Sequence, residues 1–157
     1  MDNEVLIEAM YTYGRNKALE LRTEAPELTD TEIINEEIFI PTWREGPQVV
    51  NAPTRYLGQV YRVLQAHDST GNPTWNPADT PALFGICHTK NPAKAKPWVT
   101  PYGISGLYYK DECYIDGGGI VYRQIYDGGN EFDAATLPDR WEQVSQNVSE
   151  IETPAEE

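Results

Sequence analysis

The chain has 157 residues, of which 12 are Lys or Arg and 25 are Asp or Glu, so its formal net charge is −13. A charge of this sign repels phosphate backbones and anionic lipid headgroups, so we expect neither nucleic acid nor a membrane surface as a partner. The amino terminus lacks the basic region and cleavage site of a secretory signal, and no apolar run approaches the roughly 20 residues needed to cross a bilayer.

The first part of the chain has a helical pattern. Residues 3–22 place several apolar side chains near one helical stripe, namely Leu6, Met10, Tyr13 and Leu21. Pro26 ends this segment. Thr29 and Glu32 have the spacing of a capping box, which predicts a second, short helix over residues 30–38.

Beyond residue 40 the sequence is typical of short strands. The segments RYLGQVYRVLQA and GGGIVYRQIYDGG are rich in Tyr and Val and are bounded by Gly, Pro, Asn and Asp. The carboxyl-terminal SEIETPAEE is acidic and lacks aromatic residues, which predicts disorder. The predicted fold class is mainly β, with an N-terminal α-helical segment and two small antiparallel β modules.

The two modules are predicted from an internal repeat. Tyr61-Arg62 in the first half matches Tyr122-Arg123 in the second. Further along the chain four more pairs keep their order: Trp75 with Phe132, Ala78 with Ala135, Pro81 with Pro138, and Phe84 with Trp141. The predicted organisation is a helical segment at 1–40, modules at 41–90 and 97–146, and an acidic tail at 147–157.

The first copy resembles the small chitin-binding (type 3) modules of carbohydrate-binding module families 5 and 12. It matches an opening Trp, a Tyr-x-Gly-x-x-Tyr hairpin, a Gln-x-His strand end and a Trp-x-Pro…Pro-Ala-Leu-Trp close. The matching positions are Trp43, Tyr56, Gly58, Tyr61, Gln65, His67, Trp75, Pro77, Pro81, Ala82 and Leu83, with Phe84 in place of the closing Trp. The second copy keeps Trp98, Pro138 and Trp141, but has Asp127 and Phe132 where the His and loop Trp would be.

This resemblance implies a non-catalytic protein that binds a chitin-like glycan containing N-acetylglucosamine. It makes Trp75 the main sugar-stacking residue, with His67 and Pro77 beside it, and Phe132 the counterpart in the second module. The start LTDTEIINEEIFIPTW is similar to small bacteriophage proteins encoded beside tail-fibre genes. That likeness implies a virion accessory in host recognition, located in the phage tail or, during assembly, in the host cytoplasm. Its partners would be a polysaccharide or cell-wall glycan and other tail proteins.

Each of these residues also has a structural interpretation. Small modules need most of their aromatic residues for a core, so we expect six in core positions: Trp43, Tyr61, Phe84, Trp98, Tyr122 and Trp141. Trp75 lies in a turn-rich loop, where both exposure for binding and packing remain open. His67 could be a hydrogen-bonded strand terminator. Tyr108 and Tyr109 are strand neighbours, which predicts one buried and one exposed ring.

The sequence favours no catalytic function, because known hydrolase and phosphate-binding motifs are missing. Cys87 and Cys113 are predicted to be separate thiols, and no cofactor or metal is expected. The oxygens of DGGNEFD leave a calcium ion as a minor alternative. The uncovered stripe of the N-terminal helix favours a homo-oligomer, with packing onto the first module as the alternative. A purely structural virion or assembly protein is the alternative function.

Overall fold

The computed structural model describes residues 2–145, which divide into two compact units between Cys87 and His88. The predicted tail at 147–157 therefore lies outside the described residues. None of the helices in the described range is long and apolar enough to cross a membrane.

The first helix, α1, runs over Asn3–Glu24 and continues through Gly14 without interruption. It begins where the Asp2 carboxylate accepts a hydrogen bond from the backbone N–H of Glu4, which satisfies one of the free amides of the first turn. A single 3₁₀ turn, Ala25–Glu27, contains Pro26 and ends the helical run. The predicted helix over residues 3–22 and its end near Pro26 are confirmed.

The second helix, α2, spans Asp30–Asn35 and begins with the predicted capping box. The Thr29 hydroxyl accepts from the Glu32 N–H at 3.1 Å, and the Glu32 carboxylate accepts from the Thr29 N–H at 2.9 Å. The predicted end at residue 38 was wrong. The backbone leaves helical geometry at Glu36, with φ −106° and ψ 23°, and a separate 3₁₀ turn follows at Glu37–Phe39.

The apolar stripe of α1 is only partly covered. Leu21 is buried, whereas Leu6, Met10 and Tyr13 are 46%, 64% and 59% exposed. Leu21 belongs to a cluster that joins the helical segment to the first sheet and comprises Leu21, Ala25, Ile33, Ile34, Ile40, Val60 and Cys87. The carboxyl-terminal end of α1 is thus part of the first unit's core, while the amino-terminal half is exposed.

The first unit contains five short strands. They are β1 (Pro47–Gln48), β2 (Pro53–Tyr56), β3 (Gln59–Val63), β4 (His67–Asp68) and β5 (Phe84–Ile86). Strands β2, β3 and β5 form an antiparallel sheet in that order, and β1 pairs with β4 in a separate antiparallel pair. The β2–β3 hairpin turns at Leu57 and Gly58, whose φ angles of 50° and 79° match the positive values of a type I′ turn.

Arg62 ties the first sheet to the helical segment. From the middle strand β3, its guanidinium donates to the carbonyls of Ala25 and Leu28 at 2.7 and 2.6 Å and to the Asp30 carboxylate at 3.1 Å. These carbonyls lie where α1 and the following turn end, and the Ala25 carbonyl also accepts from the Leu28 N–H that closes the 3₁₀ turn. One side chain therefore satisfies the end of one helical element and pairs with the first residue of α2.

The second unit has a four-stranded sheet. Its strands are β6 (Lys96–Pro97), β7 (Cys113–Ile115), β8 (Val121–Gln124) and β9 (Trp141–Val144), in that order. The last three form antiparallel pairs. The short β6 runs parallel to β7, which the expectation of a wholly antiparallel module did not include. The predicted class, mainly β with an N-terminal helical segment, is otherwise confirmed.

The middle strands of the two sheets have matching registers. Each carries a Tyr-Arg pair and lies between an upstream and a downstream antiparallel strand. In the first sheet the pairs are Tyr61 with Ile86, Arg62 with Gly85, and Val63 with Phe84. In the second they are Tyr122 with Gln143, Arg123 with Glu142, and Gln124 with Trp141.

The aromatic residues occupy cores in both units. Of the six predicted core residues, Tyr61, Phe84 and Trp141 are buried, and the other three are partly buried against the same clusters. The second core also contains Tyr108 and Tyr114, of which sequence analysis did not single out Tyr114. The neighbouring Tyr109 is 50% exposed while Tyr108 is 1% exposed, so the predicted division of this pair is confirmed.

Candidate functional site

Trp75 lies in the loop that joins β4 to β5. Its side chain is 39% exposed, whereas Trp141 is 5% exposed and Trp43 and Trp98 are partly buried. Trp75 is thus the most exposed of the four tryptophans. The indole ring is therefore accessible to a ligand at the surface of the loop.

The next residue, Asn76, holds the loop in shape and is only 6% exposed. Its amide nitrogen donates to the Pro73 carbonyl and the Asp79 carboxylate, and its side-chain oxygen accepts from the N–H groups of Ala78 and Asp79. Its backbone carbonyl accepts from the Thr80 hydroxyl at 2.6 Å. All donor and acceptor positions of the amide are used, which fixes the backbone beside Trp75. Sequence analysis missed this role, although Asn-Pro dipeptides are a turn signal.

The start of the loop is anchored to the β1 segment. Ser69 is fully buried, and its hydroxyl accepts from the Gly46 N–H at 3.1 Å. The Gly71 N–H donates to the Glu45 carboxylate at 3.0 Å. The Asp68 carboxylate accepts hydrogen bonds from the hydroxyl and the N–H of Thr70. Both bonds, the one from the hydroxyl more than the other, lower the pKa of Asp68. The loop is therefore held at its start and around Asn76 in the absence of a ligand.

His67 lies beneath the exposed indole. Its Nδ1 donates to the Gln65 carbonyl at 2.7 Å, so Nδ1 carries the proton. The imidazole meets Phe84 edge-on at 5.4 Å between ring centroids and approaches Trp75 at 6.4 Å. The Nε2 atom is buried without a hydrogen-bond partner within the described residues. His67 thus both ends a strand segment through its hydrogen bond and contacts the ring predicted to bind sugar.

The other two predicted site residues differ in exposure. Pro77 is buried, directly after Asn76, so it can support the loop from below but offers little surface to a ligand. Phe132 lies in the second unit and is 42% exposed. Its N–H donates to the side chain of Asn130, and its carbonyl accepts from the Trp141 indole at 2.9 Å. The structure therefore places Trp75 and Pro77 in the loop that follows β4, whose first residue is His67, and holds Phe132 on a loop of the other unit.

A groove of about 490 Å³ in the first unit lies between α1 and the segment around β1 and β2, with Trp43 in its wall. Trp75 does not line this groove. The indole is exposed outside this groove, which suits contact along a polymer better than enclosure of a small substrate.

The two cysteines are free and buried. Burial raises the pKa of Cys87 well above its usual value and that of Cys113 to about 11, so both thiols are protonated at neutral pH. A protonated thiol is a poor nucleophile and a poor metal ligand. Within residues 2–145, no three His, Cys, Asp or Glu side chains are grouped to hold a metal ion, the DGGNEFD loop included.

Comparison with protein families gives one match in the first unit. Residues 49–85 match the family described as carbohydrate-binding module family 5/12. No curated protein matches the chain. The matched segment includes β2 to β4, the loop with Trp75 and the start of β5. The match supports a family 5/12 carbohydrate-binding module over residues 49–85 of the chain. Modules of this family are non-catalytic.

Proposed function

We propose that the protein is a non-catalytic binder of a chitin-like glycan that contains N-acetylglucosamine, and that the sugar stacks on Trp75. The observation that carries the proposal is the exposed Trp75 indole on a loop already fixed by Asn76, inside the segment matched by the family. Sugar rings have flat C–H faces that pack on an indole. A ring held in place before binding loses little conformational entropy when the ligand arrives.

The expected affinity of one site is low. A buried Trp removes roughly 150–250 Å² from water, but only one face of Trp75 meets the sugar. At about 25 cal/mol per Å², the gross gain is about 2–3 kcal/mol before the cost of association. A single module should therefore bind weakly and depend on repeated contacts along a polymer.

His67 and Pro77 have supporting roles in this proposal. The His67 ring approaches both Phe84 and Trp75, so it links the indole to a core residue. Because Pro77 is buried, it restricts the loop rather than contacting the sugar.

The test is retention of the full chain on insoluble chitin, comparing wild type with Trp75→Ala. The variant should lose about tenfold or more in affinity, as expected from removal of about 2 kcal/mol of stacking. Leu57→Asn is a matched control, because it removes another exposed apolar side chain of the same module at a turn position where Asn tolerates the positive φ. Equal retention of wild type and a cooperatively melting Trp75→Ala variant would overturn the proposal.

We also propose that the second unit is a diverged copy of the same module, with Phe132 at the position of Trp75. The matching strand registers around the Tyr-Arg pairs support this proposal. Two sites on one polymer could raise the effective affinity by on the order of 10²–10⁴. Phe132→Ala should then weaken retention on polymeric chitin, and an unchanged retention would remove Phe132 from the site.

A role as a virion accessory with self-association through α1 is the remaining proposal. It is supported by the exposed apolar residues of the amino-terminal half, which are Val5, Leu6, Ile7, Met10, Tyr11 and Tyr13. A second copy could pair antiparallel, because acidic Glu4 and Glu8 precede basic Arg15 and Lys17 along the helix. Light scattering should find an oligomer for the full chain and a monomer for Met10→Glu. A monomeric wild type at tens of micromolar would overturn self-association.

A further inference from the structure

The second unit contains a half-open groove of about 670 Å³, which the predicted binding residue Phe132 does not line. Its wall is made largely of aromatic side chains and prolines, namely Pro97, Trp98, Tyr114, Tyr122, Pro138 and Trp141. A volume of this size is within the range of small-ligand sites. Phe132, the loop residue matched to Trp75, does not line the groove. The aromatic surface of the groove is therefore formed by other residues.

Two rings remain accessible at the groove. Trp98 and Tyr122 are partly exposed, while Tyr114 and Trp141 are buried behind them. Tyr122 stacks on Tyr114 with 5.4 Å between centroids and 29° between ring planes, and Trp98 meets Tyr114 edge-on at 5.0 Å. The accessible rings are thus held in fixed orientations by a rigid aromatic layer.

Two carboxylates complete the groove and are its only charged lining groups. In each, one oxygen holds a turn: Asp116 Oδ1 accepts from the N–H groups of Gly118 and Ile120, and Asp133 Oδ1 accepts from the N–H and hydroxyl of Thr136. No hydrogen bond in the described chain uses the second oxygen of either carboxylate. The groove therefore combines aromatic surface with two fixed negative charges and no lining Lys or Arg.

The raised pKa of Tyr114 agrees with the position of the two carboxylates close to the aromatic wall. Burial is the main cause that raises its pKa, and the negative charges of Asp133 and Asp116 act in the same direction. The Tyr114 hydroxyl also accepts a hydrogen bond from the Ala134 N–H at 3.0 Å, which places it beside the loop that carries Asp133.

We propose that this groove binds a pyranose that carries a protonated amino group, with the sugar face on Trp98 and Tyr122 and the ammonium group on Asp116 and Asp133. The assignment to a sugar rests on the proposed carbohydrate-binding function. The charge of the ligand follows from the groove itself, because aromatic faces and carboxylates both favour a cation and disfavour an anion. An N-acetylated sugar has no charge with which to use the two free carboxylate oxygens. The second unit would thereby recognise the de-N-acetylated units of the glycan.

The test measures binding of a glucosamine oligosaccharide to the full chain by isothermal titration calorimetry, with Trp75→Ala present throughout to disable the first module. Adding Asp116→Asn and Asp133→Asn should weaken binding about tenfold, since charge-assisted hydrogen bonds are lost. The turns should survive, because Asn keeps the Oδ1 acceptor. Asp127→Asn with Asp139→Asn is the matched control: it removes the same charge from two exposed sites outside the groove and should have little effect.

Equal weakening by the two pairs would overturn the proposal, because binding would then follow net charge alone. The proposal would also be overturned if the N-acetylated oligosaccharide bound the same proteins as tightly as the amino form. Neither result affects the role of Trp75, which is measured separately on chitin. Conversely, unchanged chitin retention by Trp75→Ala would overturn the role of Trp75 but not the comparison of the two carboxylate pairs, because both pairs are measured in the same Trp75→Ala background. The two proposals therefore fail in distinguishable ways.

Discussion

The sheets of the two units have the same register around a Tyr-Arg pair but use the arginine differently. In the first unit Arg62 reaches out of the sheet to two backbone carbonyls and Asp30 of the helical segment. In the second unit Arg123 stays on its own sheet and pairs with Glu142 on the neighbouring strand at 3.2 Å. A common strand register thus supports two different attachments, one partly buried against the helical segment and the other more exposed on the sheet itself.

A second difference lies one residue further along the middle strand. Val63 and Gln124 are both buried and lie opposite Phe84 and Trp141. Val63 contributes only apolar contact, whereas the Gln124 amide donates to the carbonyls of Tyr126 and Gly128 and so shapes the following loop. The strand pairing thus places Val63 and Gln124 at equivalent positions, but only Gln124 has a side chain that can hydrogen-bond the loop that follows.

The largest stability effect is expected in the aromatic core of the second unit. Trp141 is 5% exposed, lies 4.9 Å from Tyr114 and 5.6 Å from Tyr108 between ring centroids, and donates its indole N–H to Phe132. Trp141→Ala should lower the free energy of unfolding by about 3–5 kcal/mol. Urea unfolding followed by near-ultraviolet circular dichroism measures this. A loss under 1 kcal/mol would contradict the assigned core.

Arg62→Met should have the next largest effect, lowering the free energy of unfolding by about 2–3 kcal/mol. The substitution keeps most of the apolar stem but leaves the carbonyls of Ala25 and Leu28 and the Asp30 carboxylate without their cationic donor. Far-ultraviolet circular dichroism should show loss of helix at lower urea concentrations than in wild type. Unchanged helix unfolding would mean that Arg62 does not hold the helical segment.

Alkaline pH should lower the free energy of unfolding through Cys113. This residue lies opposite Arg123 in the second sheet, as Pro53 lies opposite Arg62 in the first. Burial raises the pKa of Cys113 from 9.0 to about 11, so folding favours the neutral thiol. The stabilisation of the folded state by the neutral thiol is fully present below pH 9 and is lost as the pH rises from 9 to 11. Cys113→Val should flatten the decline of the urea midpoint in that window relative to wild type. Parallel declines in the two proteins would contradict it.

The smallest effect is expected for Arg123→Met, at most about 1 kcal/mol, because both partners of the Arg123–Glu142 pair are partly exposed to solvent. High salt should reduce the difference between variant and wild type further. A loss as large as that of Arg62→Met would remove the contrast between the two arginines.

Local signals in the sequence predicted much of the fold. The capping box at Thr29, the breaking of the helix near Pro26 and the alternation of Tyr108 and Tyr109 depend on neighbouring residues, so a single sequence carries them. The roles of Arg62 and Asn76 could not be predicted in the same way. Arg62 binds carbonyls more than 30 residues away, and Asn76 differs from any turn asparagine only through its burial. The groove of the second unit was hidden because Trp98 and Tyr122 were expected to be core residues.

Sugar stacking on Trp75 can be observed through the indole N–H signals of the four tryptophans, followed by two-dimensional nuclear magnetic resonance during titration with an N-acetylglucosamine oligosaccharide. Single substitutions assign the signals. The Trp75 signal should shift progressively and saturate, while that of Trp43, whose indole nitrogen is buried and whose ring meets Tyr56 edge-on, should stay in place. A saturating titration that leaves the Trp75 signal unmoved would contradict the claim that the sugar stacks on Trp75.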